Sequence, residues 1–360
     1  MNKKINCIEG IRAIACMSIF LYSFRNAFLP VFSYWGDVTP LRILTSGDAM
    51  IRIMFTLSGF VISHKYFLLK RYDDIPLDIF KKYFRLAPHV LVANVVVCFM
   101  MKLGILYNSQ AGKVSGSVEF LSAFNNFEPD IVLCLKESLI LCFFQGKSTY
   151  IAPLWIIGYE YLGTILVLCA ISICRKSDLR YLFYIVFLLF FNSYYNYFVL
   201  GMLVCEIYCD KDISDWLNQH KKFNNWLFVI SFLIISLLNI NDDIKIIRVV
   251  YAIGISGFLL ALLCSSWGDK ILGNRFMQKC GKLSFAVYIT HLPIIESFSS
   301  VFFVKFNELG YNDTFIVMLN LILTSFLIWL IAHSFFGHIE RISNAIVKSF
   351  EKKYGGLQKS

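Results

Sequence analysis

Charged side chains are scarce in this sequence. Asp, Glu, Lys and Arg together make up 16% of its 360 residues, whereas 58% are hydrophobic and 17% are aromatic. A soluble globule of this length needs far more polar surface than these residues provide. The composition therefore excludes an ordinary soluble protein and predicts a protein that lies in a membrane.

Several other features are missing. The 11 cysteines lie mostly in or beside apolar runs and lack the spacing of metal ligands, so we expect neither a metal site nor a disulfide framework. The N-terminus has no small-residue cleavage site of a signal peptide, and we expect the first apolar run to stay in the protein as its first span. The absence of internal repeats argues against a secondary transporter.

The net charge of +10 does not indicate a nucleic-acid partner. The basic residues lie between apolar runs and do not gather on one amphipathic face, as a nucleic-acid surface would require. Lys and Arg accumulate on the cytoplasmic side of membrane proteins. The positive charge is therefore better explained by the orientation of the chain in the bilayer than by nucleic-acid binding.

The apolar runs predict an all-α polytopic membrane protein, since several approach the roughly 20 residues that cross a bilayer. Ten runs are placed at residues 10–30, 49–67, 86–106, 153–174, 181–193, 196–208, 226–238, 249–264, 283–304 and 314–336. The fifth and sixth runs are the doubtful pair, because together they are long for one helix and short for two. Counting them as two places most Lys and Arg on the cytoplasmic side, whereas merging them spreads these residues evenly. About ten transmembrane helices with both termini in the cytoplasm are therefore predicted.

The remaining segments are assigned by their polarity. Residues 1–342 are predicted to form the transmembrane domain, and residues 343–360 a basic amphipathic cytoplasmic tail. The main outer segment, residues 107–152, is polar at first and apolar again at residues 131–144. Lys136 and Glu137 interrupt this second part, which predicts an interfacial or re-entrant helix.

An ionisable side chain at bilayer depth costs several kcal/mol unless it is paired or faces water, so each one is a candidate functional residue. Arg12 and Ser23 lie on nearly the same face of the first run, about 16.5 Å apart along the helix axis. In one interpretation, Arg12 holds an anion and Ser23 marks a point where a group is passed across. In the other, Arg12 reaches lipid phosphate and Ser23 bonds its own helix backbone.

Two further candidates lie in later runs. The position of Glu160 in the fourth run predicts a depth close to that of Ser23, where it would orient a histidine or a substrate hydroxyl, or pair with Arg25 or Arg52. His291, in the ninth run, is predicted to lie in the inner half of the bilayer. It is interpreted either as a functional histidine or as a satisfied core histidine.

Short strings across the chain, taken together in order, resemble the acyltransferase-3 family of membrane acyltransferases. They are IEGIRAIA at 8–15, FTLSGFVI at 55–62, KKYFRLAP at 81–88, PLWIIGYE at 153–160, LGM at 200–202, GKLS at 281–284 with YITHLP at 288–293, and FGHIER at 336–341. Each string is weakly specific alone. Their common order from residue 8 to residue 342 makes the resemblance strong.

The resemblance implies transfer of an acyl group to a sugar hydroxyl at the outer face of the bacterial cytoplasmic (inner) membrane. The donor would be cytoplasmic acetyl-CoA, and the acceptor a lipid-linked or surface polysaccharide of the O-antigen or lipopolysaccharide type; membrane lipids are the other expected partners. Residues matching the family strings are the expected site. They are Arg12, Lys81, Lys82 and Arg85 for the donor, Ser23, Glu160 and His291 for catalysis, and Arg25, Arg52, Ser58, Trp155 and Tyr288 as further candidates.

One position departs from the family. The family has an arginine, ten intervening residues and then a histidine that it treats as catalytic, and here that position is Ser23. A serine does not titrate near neutral pH and does not replace imidazole as a general base. Three explanations stay open: an introduced inactivating substitution, natural loss of activity, or another residue that supplies the base.

A different class of function is also open. A non-catalytic membrane protein on the same scaffold, such as a glycolipid binder or a subunit of a glycan assembly complex, would bind glycan without turning over acetyl-CoA. Ser23 is the feature that supports it. A secondary transporter is the weakest alternative.

Overall fold

The computed structural model describes residues 5–29, 40–69, 72, 75–174, 179–238 and 244–357. This part of the chain is 86% helical and contains no strand. The main helices, in chain order, are α1 (Cys7–Phe28), α2 (Gly47–Leu69), α3 (Ile75–Lys102), α4 (Asn108–Ser115), α5 (Ile131–Lys136), α6 (Trp155–Cys174), α7 (Leu179–Phe190), α8 (Tyr195–Cys209), α9 (Lys211–Gln219), α10 (Lys221–Leu237), α11 (Lys245–Leu263), α12 (Ser266–Leu272), α13 (Arg275–Ile294), α14 (Ser300–Glu308) and α15 (Asp313–Leu357).

The predicted all-α class is confirmed, and each of the ten apolar runs overlaps a helix. The doubtful fifth and sixth runs form two separate helices, α7 and α8. Six helical stretches in the described residues are long and apolar enough to cross a membrane, which makes the chain a multi-pass membrane protein. They are Cys7–Phe28, Ile75–Lys102, Ala152–Ile173, Lys245–Leu263, Arg275–Glu308 and Asp313–Lys352. The count of ten spans and the cytoplasmic termini stay predictions.

Two helices begin well before the apolar run that predicted them. α3 begins at Ile75, so Lys81, Lys82 and Arg85 lie inside the helix and not in a loop before it. α13 begins at Arg275, although its apolar run was placed at 283–304. In both cases polar residues extend a helix beyond its apolar part, which hydropathy alone does not detect.

The last helix crosses the boundary that was predicted at residue 342. α15 continues without a break to Leu357. Beyond that boundary, Ser343 is fully buried, and its hydroxyl lies 3.1 Å from the carbonyl oxygen of Phe84 and 3.0 Å from that of Arg85. Of the predicted tail, residues 358–360 lie outside the described residues.

The chain divides into two compact units. The first contains Met1–Ile19, Tyr34–Ile75 and Leu162–Ser284, and the second contains Phe20–Ser33, Pro76–Tyr161 and Phe285–Ser360. Each unit therefore gathers segments that are far apart in the sequence.

Close helix packing in the first unit depends on glycines. A Cβ atom on Gly59 of α2 would collide with the backbone of Phe198, and one on Gly201 of α8 would collide with the carbonyl oxygen of Thr56. α2 and α8 thus approach each other through a reciprocal pair of glycines, as small residues allow in membrane helices. Both glycines belong to the family-like strings. These strings therefore contain residues needed for helix packing as well as candidate catalytic residues.

The second unit has an apolar core built on the end of α1. Phe20, Phe24, Ala27 and Phe28 lie on one face of that helix, at the spacing of an apolar stripe. They pack with residues of α13, the turn after it, α14 and α15, including Ile294, Ile295, Phe303, Ile316 and Ile328. This packing fixes the part of α1 that carries Ser23.

Substitution of Gly201 by alanine is expected to lower the free energy of unfolding by about 1–3 kcal/mol, because a Cβ atom has no room between two backbones. Gly337→Ala is the matched control, since a Cβ atom at Gly337 meets no heavy atom within 4 Å. Thermal unfolding of the two purified variants in the same detergent measures the difference. Equal stability of the two variants would contradict the close α2–α8 crossing.

Candidate active site

The centre of the candidate site is a buried serine–histidine pair in the second unit. Ser23 lies on α1 and His291 on α13, and the Ser23 Oγ atom is 3.3 Å from His291 Nε2. The side chains are almost fully buried, with 5% and 1% of the two residues exposed. Two candidates that are 268 positions apart in the sequence are therefore brought into contact.

The hydrogen bond of His291 Nδ1 determines that the other ring nitrogen, Nε2, faces Ser23 as an acceptor. His291 Nδ1 lies 2.6 Å from the carbonyl oxygen of Tyr288, which only accepts hydrogen bonds. A neutral imidazole must therefore carry its proton on Nδ1 and donate it to that carbonyl. Nε2 then presents its lone pair to the Ser23 hydroxyl, as a general base for a serine requires.

This contact corrects one expectation. His291 was predicted to lie at a different depth from Ser23, in the inner half of the bilayer. That depth was counted from residue 283, whereas α13 begins at Arg275, so His291 is about 24 Å along the helix from its start. The longer helix brings His291 level with Ser23.

Of the two aromatic candidates, Tyr288 lies beside this pair, with 5.6 Å between its ring centroid and that of His291. Tyr288 lies one turn before His291, and its hydroxyl donates to the carbonyl oxygen of Pro153 at 2.5 Å. This bond ties α13 to the string that leads into α6. Trp155, the first residue of α6, packs edge-on against Tyr159 with 5.5 Å between ring centroids.

Glu160 forms an ion pair with Lys82. Lys82 Nζ is 2.5 Å from Glu160 Oε1, and both side chains are mostly buried, with 24% and 18% exposed. Lys82 was expected to bind the donor at the cytoplasmic side, and Glu160 was predicted at the depth of Ser23. One ion pair cannot satisfy both predictions, because a lysine side chain is much shorter than the distance between those depths.

The other donor-binding candidates of the second unit differ in their partners. Lys81 Nζ pairs with Glu351 at 2.8 Å and with Asp78 at 3.5 Å. Arg85 is exposed, and in the described part of the chain no carboxylate lies within ion-pair distance of it. A phosphate could therefore reach Arg85 directly, whereas at Lys81 it would compete with carboxylates.

Arg12, Arg52 and Ser58 belong to the first unit. Arg12 is partly exposed and lies 3.6 Å from Glu9. Arg52 is buried and donates to Asp48 at 2.7 Å and to the Tyr197 hydroxyl at 2.8 Å, so it has a structural role there. Ser58 is buried on α2.

Three polar residues outside the family strings hold the predicted outer segment, and two of them, Glu137 and Glu296, are buried. Glu137 is fully buried in a π turn and accepts hydrogen bonds from the backbone N–H groups of Thr149 and Tyr150. Asn125 has a left-handed backbone, with φ of 56°, and donates to Glu296 Oε2 at 2.7 Å. The polar interruption at Glu137 was a usable signal; nothing local marked Asn125.

Thiols in the same segment are unreactive. Burial raises the pKa of the Cys134 and Cys142 thiols to about 12, and both are completely buried. They remain protonated at neutral pH, which makes them poor nucleophiles. Among the described residues, no group of three or more His, Cys, Asp or Glu side chains is close enough to hold a metal ion.

The arrangement supports one kind of chemistry. A serine hydroxyl facing an unprotonated imidazole nitrogen, with the second nitrogen fixed by a carbonyl, is the geometry of nucleophilic catalysis or general-base catalysis at a carbonyl. A backbone carbonyl takes the orienting position that a carboxylate often occupies.

Comparison with known proteins gives one match. The family model described as an acyltransferase domain matches residues 5–334. No curated protein and no solved structure is detectably similar to the chain.

The Lys82–Glu160 pair is expected to be energetically coupled. Lys82→Met and Glu160→Gln each remove one member of the ion pair and leave the other mostly buried. The double variant should therefore lose about 1–3 kcal/mol less stability than the sum of the two single losses. A double-mutant cycle of thermal unfolding in detergent measures this term. Lys113→Met removes an exposed lysine and is the control; additive losses in the cycle would contradict the pairing.

Proposed function

We propose a function from one premise: the chain belongs to the acyltransferase-3 family, whose model matches residues 5–334. It is therefore a membrane acyltransferase in general terms. Within that class, we propose transfer of acetyl from acetyl-CoA to a sugar hydroxyl of a lipid-linked or surface polysaccharide. The acceptor glycan would be of the O-antigen or lipopolysaccharide type, and the protein would lie in the bacterial cytoplasmic membrane.

The observation that supports catalysis is the contact between Ser23 and His291. In the proposed reaction, Ser23 Oγ attacks the thioester carbonyl carbon and its proton passes to His291 Nε2. The carbon–sulfur bond breaks, and the CoA sulfur leaves with that proton as a thiol. The acetyl group is then held as an ester on Ser23.

The second step of the reaction transfers the acetyl group to the sugar and restores the free Ser23 hydroxyl. The sugar hydroxyl attacks the ester carbonyl carbon while His291 Nε2 takes its proton. The bond from the carbonyl carbon to Ser23 Oγ breaks, and His291 gives the proton back to that oxygen. Atoms and charges balance in both halves, and no further reactant is needed.

This mechanism selects among the three explanations for the serine at the family's histidine position. Because His291 faces Ser23 with its acceptor nitrogen, the chain already holds a base for that hydroxyl. The explanation in which another residue supplies the base is the one that this geometry favours. An introduced substitution and natural inactivation are the outcomes against which it is tested.

Donor binding is proposed for the basic residues that match the family strings. Arg12, Lys81, Lys82 and Arg85 are each, taken alone, able to bind a CoA phosphate by charge-assisted hydrogen bonds. Glu9 would release Arg12, and Glu351 would release Lys81, when the donor binds. Glu160 is then proposed as the residue that holds Lys82 in place, and it has no direct part in proton transfer.

His291→Gln is expected to lower acetyl transfer at least about 100-fold, because it removes the general base and keeps a polar side chain. His333→Gln is the matched control: His333 is exposed and stacks on Trp329. The assay follows radiolabelled acetyl-CoA into alkali-labile label on glycan from membranes that contain the full chain. Equal activity of the two variants would remove His291 from the mechanism.

Ser23 variants separate the explanations for its identity. The native chain is expected to form an acetyl ester on Ser23, detected by mass spectrometry after rapid quenching with acetyl-CoA alone, and Ser23→Ala is expected to abolish both ester and transfer. Ser23→His is expected to form no ester and to transfer less than the native chain. Activity that appears only in Ser23→His would contradict the serine mechanism and identify an inactivating substitution.

A non-catalytic glycan-binding protein is the second candidate, and the serine at the family's histidine position is the observation that favours it. It predicts glycan binding without acetyl transfer from the native chain, and none from Ser23→His either. Well-folded protein that gives this pattern would establish the second candidate in place of the first.

A further inference from the structure

A cavity of about 470 Å³ lies at the C-terminal end of α1, in the second unit. We name it the helix-end cavity. Its lining includes Arg25, Asn26, Leu29, Ser117, Val118, Glu119 and Phe120. Its volume falls in the range of pockets that bind small molecules, about 300–1,000 Å³. One wall is formed by the end of α1, and the other by residues 116–120 of the segment that was predicted to lie at the outer face.

The lining combines groups of opposite hydrogen-bonding character. Arg25 only donates and the carboxylate of Glu119 only accepts, whereas the Asn26 amide does both. Leu29 and Phe120 add apolar and aromatic surface. A ligand that fits must both donate and accept hydrogen bonds and also carry a C–H face, which describes a sugar ring better than a free anion or a hydrocarbon.

The wall of the cavity is fixed before any ligand binds. The last carbonyls of a helix lack an N–H partner in the next turn. Here the Ser117 hydroxyl donates to the carbonyl oxygen of Asn26 at 2.5 Å, and the Ser115 hydroxyl donates to that of Ala27 at 2.8 Å. Gly116 makes the turn between the two serines with a left-handed φ of 77°. The segment is therefore fastened to the end of α1.

The same segment is also fastened to the turn after α13, at one residue before the two serines and one after them. Asn125 donates to the Glu296 carboxylate at 2.7 Å, and the N–H of Tyr107 donates to the Glu296 carbonyl oxygen at 2.9 Å. A buried carboxylate and a backbone carbonyl thus hold the segment at two points. Such anchoring reduces the entropy that a ligand would otherwise lose by ordering the segment.

The lining of the cavity on α1 begins within one helical turn of Ser23. Asn26 follows Ser23 by three residues, which places it on the same helix face about 4.5 Å further along the axis. We propose that the helix-end cavity binds the sugar ring that carries the acceptor hydroxyl, with Asn26 and Glu119 as its hydrogen-bonding residues. The inference rests on the proposed function, in that it supplies the acceptor site for the reaction at Ser23.

The first test measures binding without any turnover. Val118 lines the cavity and is exposed, and Val114 is exposed on the same segment but lies outside the lining. Val118→Cys and Val114→Cys are labelled with a membrane-impermeant maleimide in the presence of methyl glycosides of a hexose, a 6-deoxyhexose and an N-acetylhexosamine. Cys169 is exposed, so labelling of the chain without an introduced cysteine is subtracted as background.

At least one glycoside is expected to slow labelling of Val118→Cys about tenfold, as occupancy near 90% requires, and to leave Val114→Cys unchanged. If no glycoside protects Val118→Cys, or if both variants are slowed equally, the cavity is not a sugar site.

The second test measures the acceptor side of catalysis. Glu119→Ala and Asn26→Ala are each expected to raise the KM for the glycan acceptor about tenfold, the effect of losing one or two hydrogen bonds, with little change in the KM for acetyl-CoA. Glu128→Ala removes an exposed carboxylate of the same segment outside the lining and is the control. An acceptor KM that matches the control would overturn the assignment.

The two tests separate this inference from the proposed function. Glycoside protection of Val118→Cys in a chain that never transfers acetyl would support the cavity and refute the acyltransferase reaction. Transfer that is insensitive to Glu119→Ala and Asn26→Ala, without protection, would refute the cavity and leave the reaction standing.

Discussion

Hydrocarbon offers no hydrogen-bonding partner, so a polar group inside a membrane protein must find one within the protein. The hydroxyl of Ser63 donates to the carbonyl oxygen of Gly59 one turn back, at 2.8 Å, and such bonds recur along the helices. Between elements, Ser299, Thr324 and Asn320 form a closed chain of buried hydrogen bonds. The helices, the ion pairs and the anchoring of the outer segment each provide such partners for buried polar groups. Where the two paired side chains are a serine and a histidine, the same requirement produces a candidate active site.

The family-like strings serve two physical purposes. Their glycines, such as Gly59 and Gly201, stand where two backbones approach too closely for a Cβ atom. Their polar residues, such as His291, stand where a buried side chain needs a fixed tautomer or a counter-ion. Within one unit, the packing positions hold the helices in register, and this register fixes where the polar residues of that unit lie.

Hydropathy located the helices well and their ends poorly. Apolar periodicity is a local property, and so the runs at α1, α6 and α15 could be predicted from the sequence. The polar beginnings of α3 and α13 gave no such signal. The resulting error in depth separated Ser23 from His291, and it placed Lys82 too far from Glu160. Helix ends therefore decided whether the predicted residues could form one site.

The sequence by itself determined the all-helical membrane class, the position of each apolar helix, the family and most candidate residues. Those properties are encoded in composition, in local periodicity and in short strings. Only the tertiary structure decided that Ser23 faces His291 across 268 positions, that Lys82 pairs with Glu160, and that Asn26 and Glu119 line one cavity. Contacts between distant segments depend on the packing of whole helices, and no local pattern specifies which faces meet.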